Sequence, residues 1–230
     1  MEKAIERLKA FESALKPQID KILNHRFLER FKEGNISMDN LKVFALQYGI
    51  YCSYFPRFLA AAAANVPDDN TRFSLIENLW EEHGSGDLQK SHRYLYHKFC
   101  KGIGLSDADI EQAQPFPATR IYVEYLLNLC QDASFLTSLG ALGPGTEFFT
   151  SQEYKIIYDS LRKMGFSDET LEFWYVHIDL DDHHYGDMVN SFIHWITDDA
   201  RFELLKEGAE RAIELEFLFW EGLEDHIFGV

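Results

Sequence analysis

The segment HIDLDDHH places His177, Asp181 and His184 at i, i+4 and i+7, so a helix presents all three on one face. Neutral imidazoles beside a carboxylate are good ligands for iron, manganese or zinc. A polar, solvated helix face is the competing reading of this segment alone, because Asp179, Asp182 and His183 sit among the three. The apolar run LEFWYV just before it points instead to a buried helix. In NLWEEHGSGDLQKSHRYLY, Glu82 ends an amphipathic helix, GSG turns the chain, and His92 stands in the next helix, where the two side chains could face each other. A charged C-terminal helical turn would give the same residues. In LGPGTEFFTSQEY, Glu147 follows a Gly-Pro-Gly break among Leu142, Phe148 and Phe149. A carboxylate in so apolar a setting is costly unless paired or bound to metal, although an acid in a first helical turn also gains from the helix dipole.

Helices must position these groups. Ile5, Leu8, Phe11 and Leu15 recur at three- and four-residue steps, followed by Ile19, Ile22, Leu23, Phe27 and Phe31. Ser106 with Asp109 has capping-box spacing, and Ser167 precedes Asp168 and Glu169 in what reads as a first turn. Ser37 opens a long helix that Pro56 should kink. Further helices are expected over about 68–82, 87–101, 106–114, 117–130, 151–164, 168–197 and 199–223. Alternating strands and Asn-Gly or Asp-Gly hairpin turns are absent, and no linker or repeat divides the chain. The expectation is one all-α domain over residues 1–230, a bundle of seven to nine helices.

Composition narrows the function classes. The 230 residues carry 38 Asp+Glu against 22 Lys+Arg, a formal charge of −16. That balance argues against coating DNA or RNA, which requires Lys and Arg on phosphates, and against an anionic membrane surface. Cys52, Cys100 and Cys130 form no C-x-x-C pair, and buried free thiols in a reducing compartment are expected. MEKAIERLKAFESALK lacks the apolar core of a secretory signal, and the most apolar window, Phe58 to Val66, is too short for a membrane span. A soluble cytoplasmic protein with no nucleic-acid or membrane partner is expected.

Two Glu, one Asp and three His on different helices are the ligand inventory of carboxylate-bridged di-iron sites in helical bundles, yet the usual Glu-x-x-His pairs are missing, so a ferritin-like arrangement fits poorly. The order Glu, His, Glu, His-x3-Asp-x2-His, with YCSYFPRFLAA (51–61) and NLWEEHG (78–84), resembles the heme-oxygenase-like di-iron oxidases and oxygenases, relatives of the pyrroloquinoline quinone synthase and TenA scaffold. The resemblance implies Glu82, His92, Glu147, His177, Asp181 and His184 as ligands of two Fe(II) ions, with O2 as co-substrate. Glu81 is the alternative to Glu82, which the spacing from Asn78 and Leu79 favours. A small amino-acid-like substrate is implied, met by N-oxygenation, oxidative C–C cleavage or desaturation in a natural-product or cofactor pathway, with a homodimer open. Aromatic residues near the motifs, such as Trp80, Phe148, Phe149 and Trp174, would line a dry cavity.

The chlamydial branch of the family, which resembles self-sacrificing p-aminobenzoate synthases, uses tyrosines near the metal at positions that hold Leu28, Phe44 and Thr146 here, with Tyr48, Tyr51 and Tyr175 as nearby substitutes. Lys155 matches that branch's reactive lysine only with a gap. Arg57, Arg93, Lys155 and Arg162 are candidate substrate anchors, each with surface charge as the plainer role. The alternatives are a metal-independent quinone-synthase-like or thiaminase-like enzyme and a non-catalytic protein-binding module.

Overall fold

A computed structural model describes residues 2–131 and 134–229, with the backbone alone at 179–183. Among the described residues the chain forms eleven α-helices and no strand: α1 (Glu2–Leu23), α2 (Arg26–Glu33), α3 (Met38–Asn65), α4 (Asp69–Glu82), α5 (His92–Gly102), α6 (Asp107–Glu111), α7 (Pro117–Gln131), α8 (Phe135–Leu142), α9 (Phe148–Lys163), α10 (Glu172–Phe192) and α11 (Asp199–Phe228). The number exceeds seven to nine because α1 and α2 separate at residues 24–25 and because α8, an almost wholly apolar eight-residue segment, carries no amphipathic signal. Short caps behave as read. Ser37 Oγ accepts from Asn40 N at 3.2 Å, and Ser106 and Asp109 exchange both bonds of a capping box. Ser167 caps a turn instead, and α10 begins only at Glu172. Pro56 lies inside an unbroken α3.

The apolar spacing of α1 buries Ala4, Leu8, Phe11, Leu15, Ile19 and Ile22, while Ile5 lies on the solvent side. α3, α7, α8, α10 and α11 supply most of the core, in which Phe27, Phe44, Trp174 and Trp220 are fully buried. The backbones of α8 and α11 meet at two glycines. A Cβ on Gly140 would stand 1.9 Å from Leu205 O, and one on Gly208 would stand 1.9 Å from Thr137 O. No other residue permits that approach. Directly after α8, Gly143–Glu147 forms one π-helical turn, with Gly145 packed against Ala209 of α11. Such wide turns re-aim side chains and recur at functional sites. Here the turn carries Glu147 into the interior.

Candidate metal centre

Four elements bring the candidate ligands together. α4 starts on Asp68, whose Oδ1 accepts from Asn70 N and Thr71 N at 3.0 Å each, and it ends with Glu81 and Glu82. Gly84, Ser85 and Gly86 all have positive φ, so the chain reverses within a few residues. Ser91 then caps α5 and sets His92 as its first residue. His92 therefore faces back to α4, where its Nδ1 lies 2.8 Å from Glu82 Oε1. The expected helix over 87–101 thus starts later, because two short 3-10 turns occupy Gly84–Gly86 and Leu88–Lys90.

His177 comes from α10, and its ring centroid lies 4.1 Å from that of His92. One ligand atom from each of Glu82, His92 and His177 lies within 4.8 Å of the other two, and all three residues are buried. The His177 Nδ1–H donates to Phe173 O at 2.6 Å, which leaves Nε2 with its lone pair free toward the cluster. Burial, with the neighbouring His92 and His184 rings, holds the His177 imidazole well below its ordinary pKa, so it stays neutral at pH 7. Burial works in the same direction on His92, but the Glu82 carboxylate outweighs it and raises that group. A carboxylate and two imidazoles, buried together, one with a fixed tautomer, are a donor set that fits a divalent iron ion.

Beside this trio lies a second group. Glu147 is buried, and its Oε1 accepts from Asn78 Nδ2 at 3.1 Å. Burial pushes the Glu147 carboxyl up to about 7, although His184 and the Asn78 bond pull it down. His184 Nε2 lies 2.6 Å from Glu81 Oε2. Glu82 is thus placed with His92 and His177, and Glu81 with His184. Asp181 lies outside the residues whose side chains are described.

Tyr51, Cys52, Phe55, Thr150, Tyr154 and Phe173 wall the cavity of about 30 Å3 into which Glu82, His92, Glu147 and His177 face. Glu147, Thr150 and Tyr154 at i, i+3 and i+7 share one helical face, a periodicity visible in the sequence and not used there. Tyr51 and Tyr154 bring aromatic hydroxyls to this wall, and Thr146 lines it too. Tyr48 is buried next to Tyr51, whereas Tyr175 is exposed. Trp80 is 56% exposed and lines no dry cavity, because it projects from the outer side of α4. Phe149 and Trp174 are fully buried, and Phe148 packs on Tyr185. The cationic candidates stand on the surface: Lys155 pairs with Asp159, Arg162 with Asp168, Arg57 covers the Tyr54 ring, and Arg93 is exposed.

Known proteins resemble this chain in sequence and in fold. A 4-aminobenzoate synthase of Nitrosomonas europaea is 30% identical over 93% of this chain and 92% of its own length. A 4-chloro-allylglycine synthase of Streptantibioticus cattleyicolor is 24% identical over 88% of this chain and 77% of its own. A domain with a heme oxygenase-like fold from Shewanella denitrificans, 17% identical, superposes with a TM-score of 0.77 over 96% of this chain and 94% of its own. Residues 42–217 match the family described as iron-containing redox enzymes, and the chain, an all-α protein of heme-oxygenase-like fold, belongs to that family.

Proposed function

We propose that the chain is an O2-dependent non-heme di-iron oxygenase acting on a small amino-acid-like substrate. The buried cluster of Glu82, His92 and His177, with Glu147 and His184 beside it, carries this reading. Glu82, His92, Glu147, His177, Asp181 and His184 would hold two Fe(II) ions, with Glu81 placed to assist through His184. When bound, the irons supply the electrons that activate O2 for oxidation of the substrate at nitrogen or carbon. The chain's own residues prepare that chemistry. Phe173 O orients His177 so that Nε2 stays available, and Asn78 aims Glu147 into the cavity. Tyr51, Phe55, Tyr154 and Phe173 exclude water around the ligands. The names of two relatives, a 4-chloro-allylglycine synthase and a 4-aminobenzoate synthase, support an amino-acid-like substrate.

Anaerobic titration with Fe(II), followed by metal analysis, tests the reading. Two irons per chain are expected in the parent, with loss of that stoichiometry in His177→Ala and Glu147→Ala. Uptake below one iron per chain, or unchanged loading in both variants, overturns it.

A further inference from the structure

We propose that the cleft between α4 and α10 is the port through which Fe(II) reaches the metal centre, with Glu77 and Asp187 collecting the ion at its mouth. The inference rests on the di-iron reading above and adds how the metal arrives. Glu77 and Glu81 lie one turn apart on α4 with Asn78 beside them, and His184 and Asp187 lie one turn apart on α10. All five line one cavity of about 220 Å3. Six waters occupy about 180 Å3 of liquid, so a hydrated divalent ion fits that volume.

The cavity is acidic, and its oxygen donors run from solvent to interior. Glu77 and Asp187 are exposed, Glu81 is half-buried, and Asn78 and His184 are buried. Among the described residues no Lys or Arg pairs with Glu77 or Asp187. Other acids of the same helices are paired, Asp69 with Arg72 at 2.6 Å and Glu172 with Lys98 at 3.0 Å. At the inner end, Asn78 Nδ2 donates to Glu147, while Asn78 Oδ1 is buried without a hydrogen-bond partner. An acceptor left unpaired at 4% exposure is costly, so its retention calls for a cation or the water a cation carries. Glu81 Oε2 lies 2.6 Å from His184 Nε2, so an ion taken up by Glu81 stands beside a candidate ligand.

The aromatic walls of the metal cavity, Tyr51, Phe55, Tyr154 and Phe173, are a poor route for an ion. A hydrated cation crossing them sheds water and gains too few oxygens in return. Along the α4–α10 cleft each lost water has a replacement, first at Glu77 and Asp187, then at Glu81 and Asn78 Oδ1. The direction of travel follows from the donors. Carboxylates at the mouth hold Fe(II) loosely, whereas the imidazoles inside suit it better and draw it inward.

Anaerobic mixing of the metal-free full chain with Fe(II), with the free ion captured by ferrozine at timed intervals, gives the initial rate of uptake and the final stoichiometry. In the double variant Glu77→Gln/Asp187→Asn the initial rate should fall at least about tenfold at low salt, the scale of electrostatic steering, and the deficit should shrink at about 1 M salt. The final count should match that of the parent, because neither residue is an expected ligand. Glu124→Gln/Glu214→Gln removes two exposed acids from α7 and α11 and should load as fast as the parent. An unchanged rate in the first variant, an equal slowing in the second, or a reduced final count in the first overturns the port. Two irons per chain with an unchanged rate in the first variant removes the port alone. Fewer than one iron per parent chain removes the di-iron reading, and the port with it.

Discussion

Glu147 is the candidate ligand at which charge and burial compete most directly. Its carboxyl is raised from an ordinary 4.5 to about 7 by burial. In the metal-free protein it therefore keeps a proton that the unfolded chain has released, and its contribution to stability is full below about 4.5 and lost as pH rises through 7. Relative to Glu147→Gln, the parent should lose up to about 1.4 kcal/mol per pH unit across that interval, read by urea denaturation of metal-free protein at pH 5 and 7. A difference that stays constant with pH would show that Glu147 titrates normally. Iron affinity should move the other way, because the ligand form is the carboxylate and binding must expel the proton. His177 needs no such expulsion, since it is held neutral with its Nδ1–H on Phe173 O.

The α8–π-turn–α9 element converts sequence into geometry at the site. Gly140 and Gly208 let α8 and α11 touch backbone to backbone, and the π turn that follows sets Glu147 beside Asn78 of α4. Gly208→Ala would drive a methyl group to 1.9 Å from Thr137 O, so the two helices must separate. The expected cost is about 1–3 kcal/mol in urea denaturation, with weaker iron loading because the π turn moves with α8. Unchanged stability would mean that α8 and α11 are not in this contact. The reversal between α4 and α5 is a second such element, since positive φ at Gly84, Ser85 and Gly86 turns His92 back onto Glu82.

Across the whole molecule, a continuous aromatic core runs through Phe27, Phe44, Tyr48, Trp174 and Trp220. Among the described residues no helix is long and apolar enough to cross a membrane. The cysteines report on this packing. Burial lifts Cys100 and Cys130 to about 12, and Cys52 also lies well above its ordinary value. Thiolate is the reactive form, and Cys52 is only half-buried, so in native protein at pH 8 Cys100 and Cys130 should react with Ellman's reagent only as fast as the protein opens, whereas denatured protein should react at all three thiols. Rapid labelling of Cys100 or Cys130 in the native chain would contradict the packing described.

The helices that bear the candidate ligands were legible in the sequence, because i, i+4 and i+7 spacing is a local property that any helix converts into a shared face. His177 and His184 on α10, Glu82 at the end of α4, and the capping box of Ser106 and Asp109 are read this way. The apolar α8 was illegible because a helix buried on every side has no periodic contrast. Tertiary structure alone decided which acid meets which histidine: Glu82 faces His92 while its neighbour Glu81 reaches His184. It also brought Glu153 and Glu216 together from helices more than sixty positions apart and turned Trp80 outward. Local spacing sets the face a side chain occupies, but only the packing of distant helices determines what that face meets.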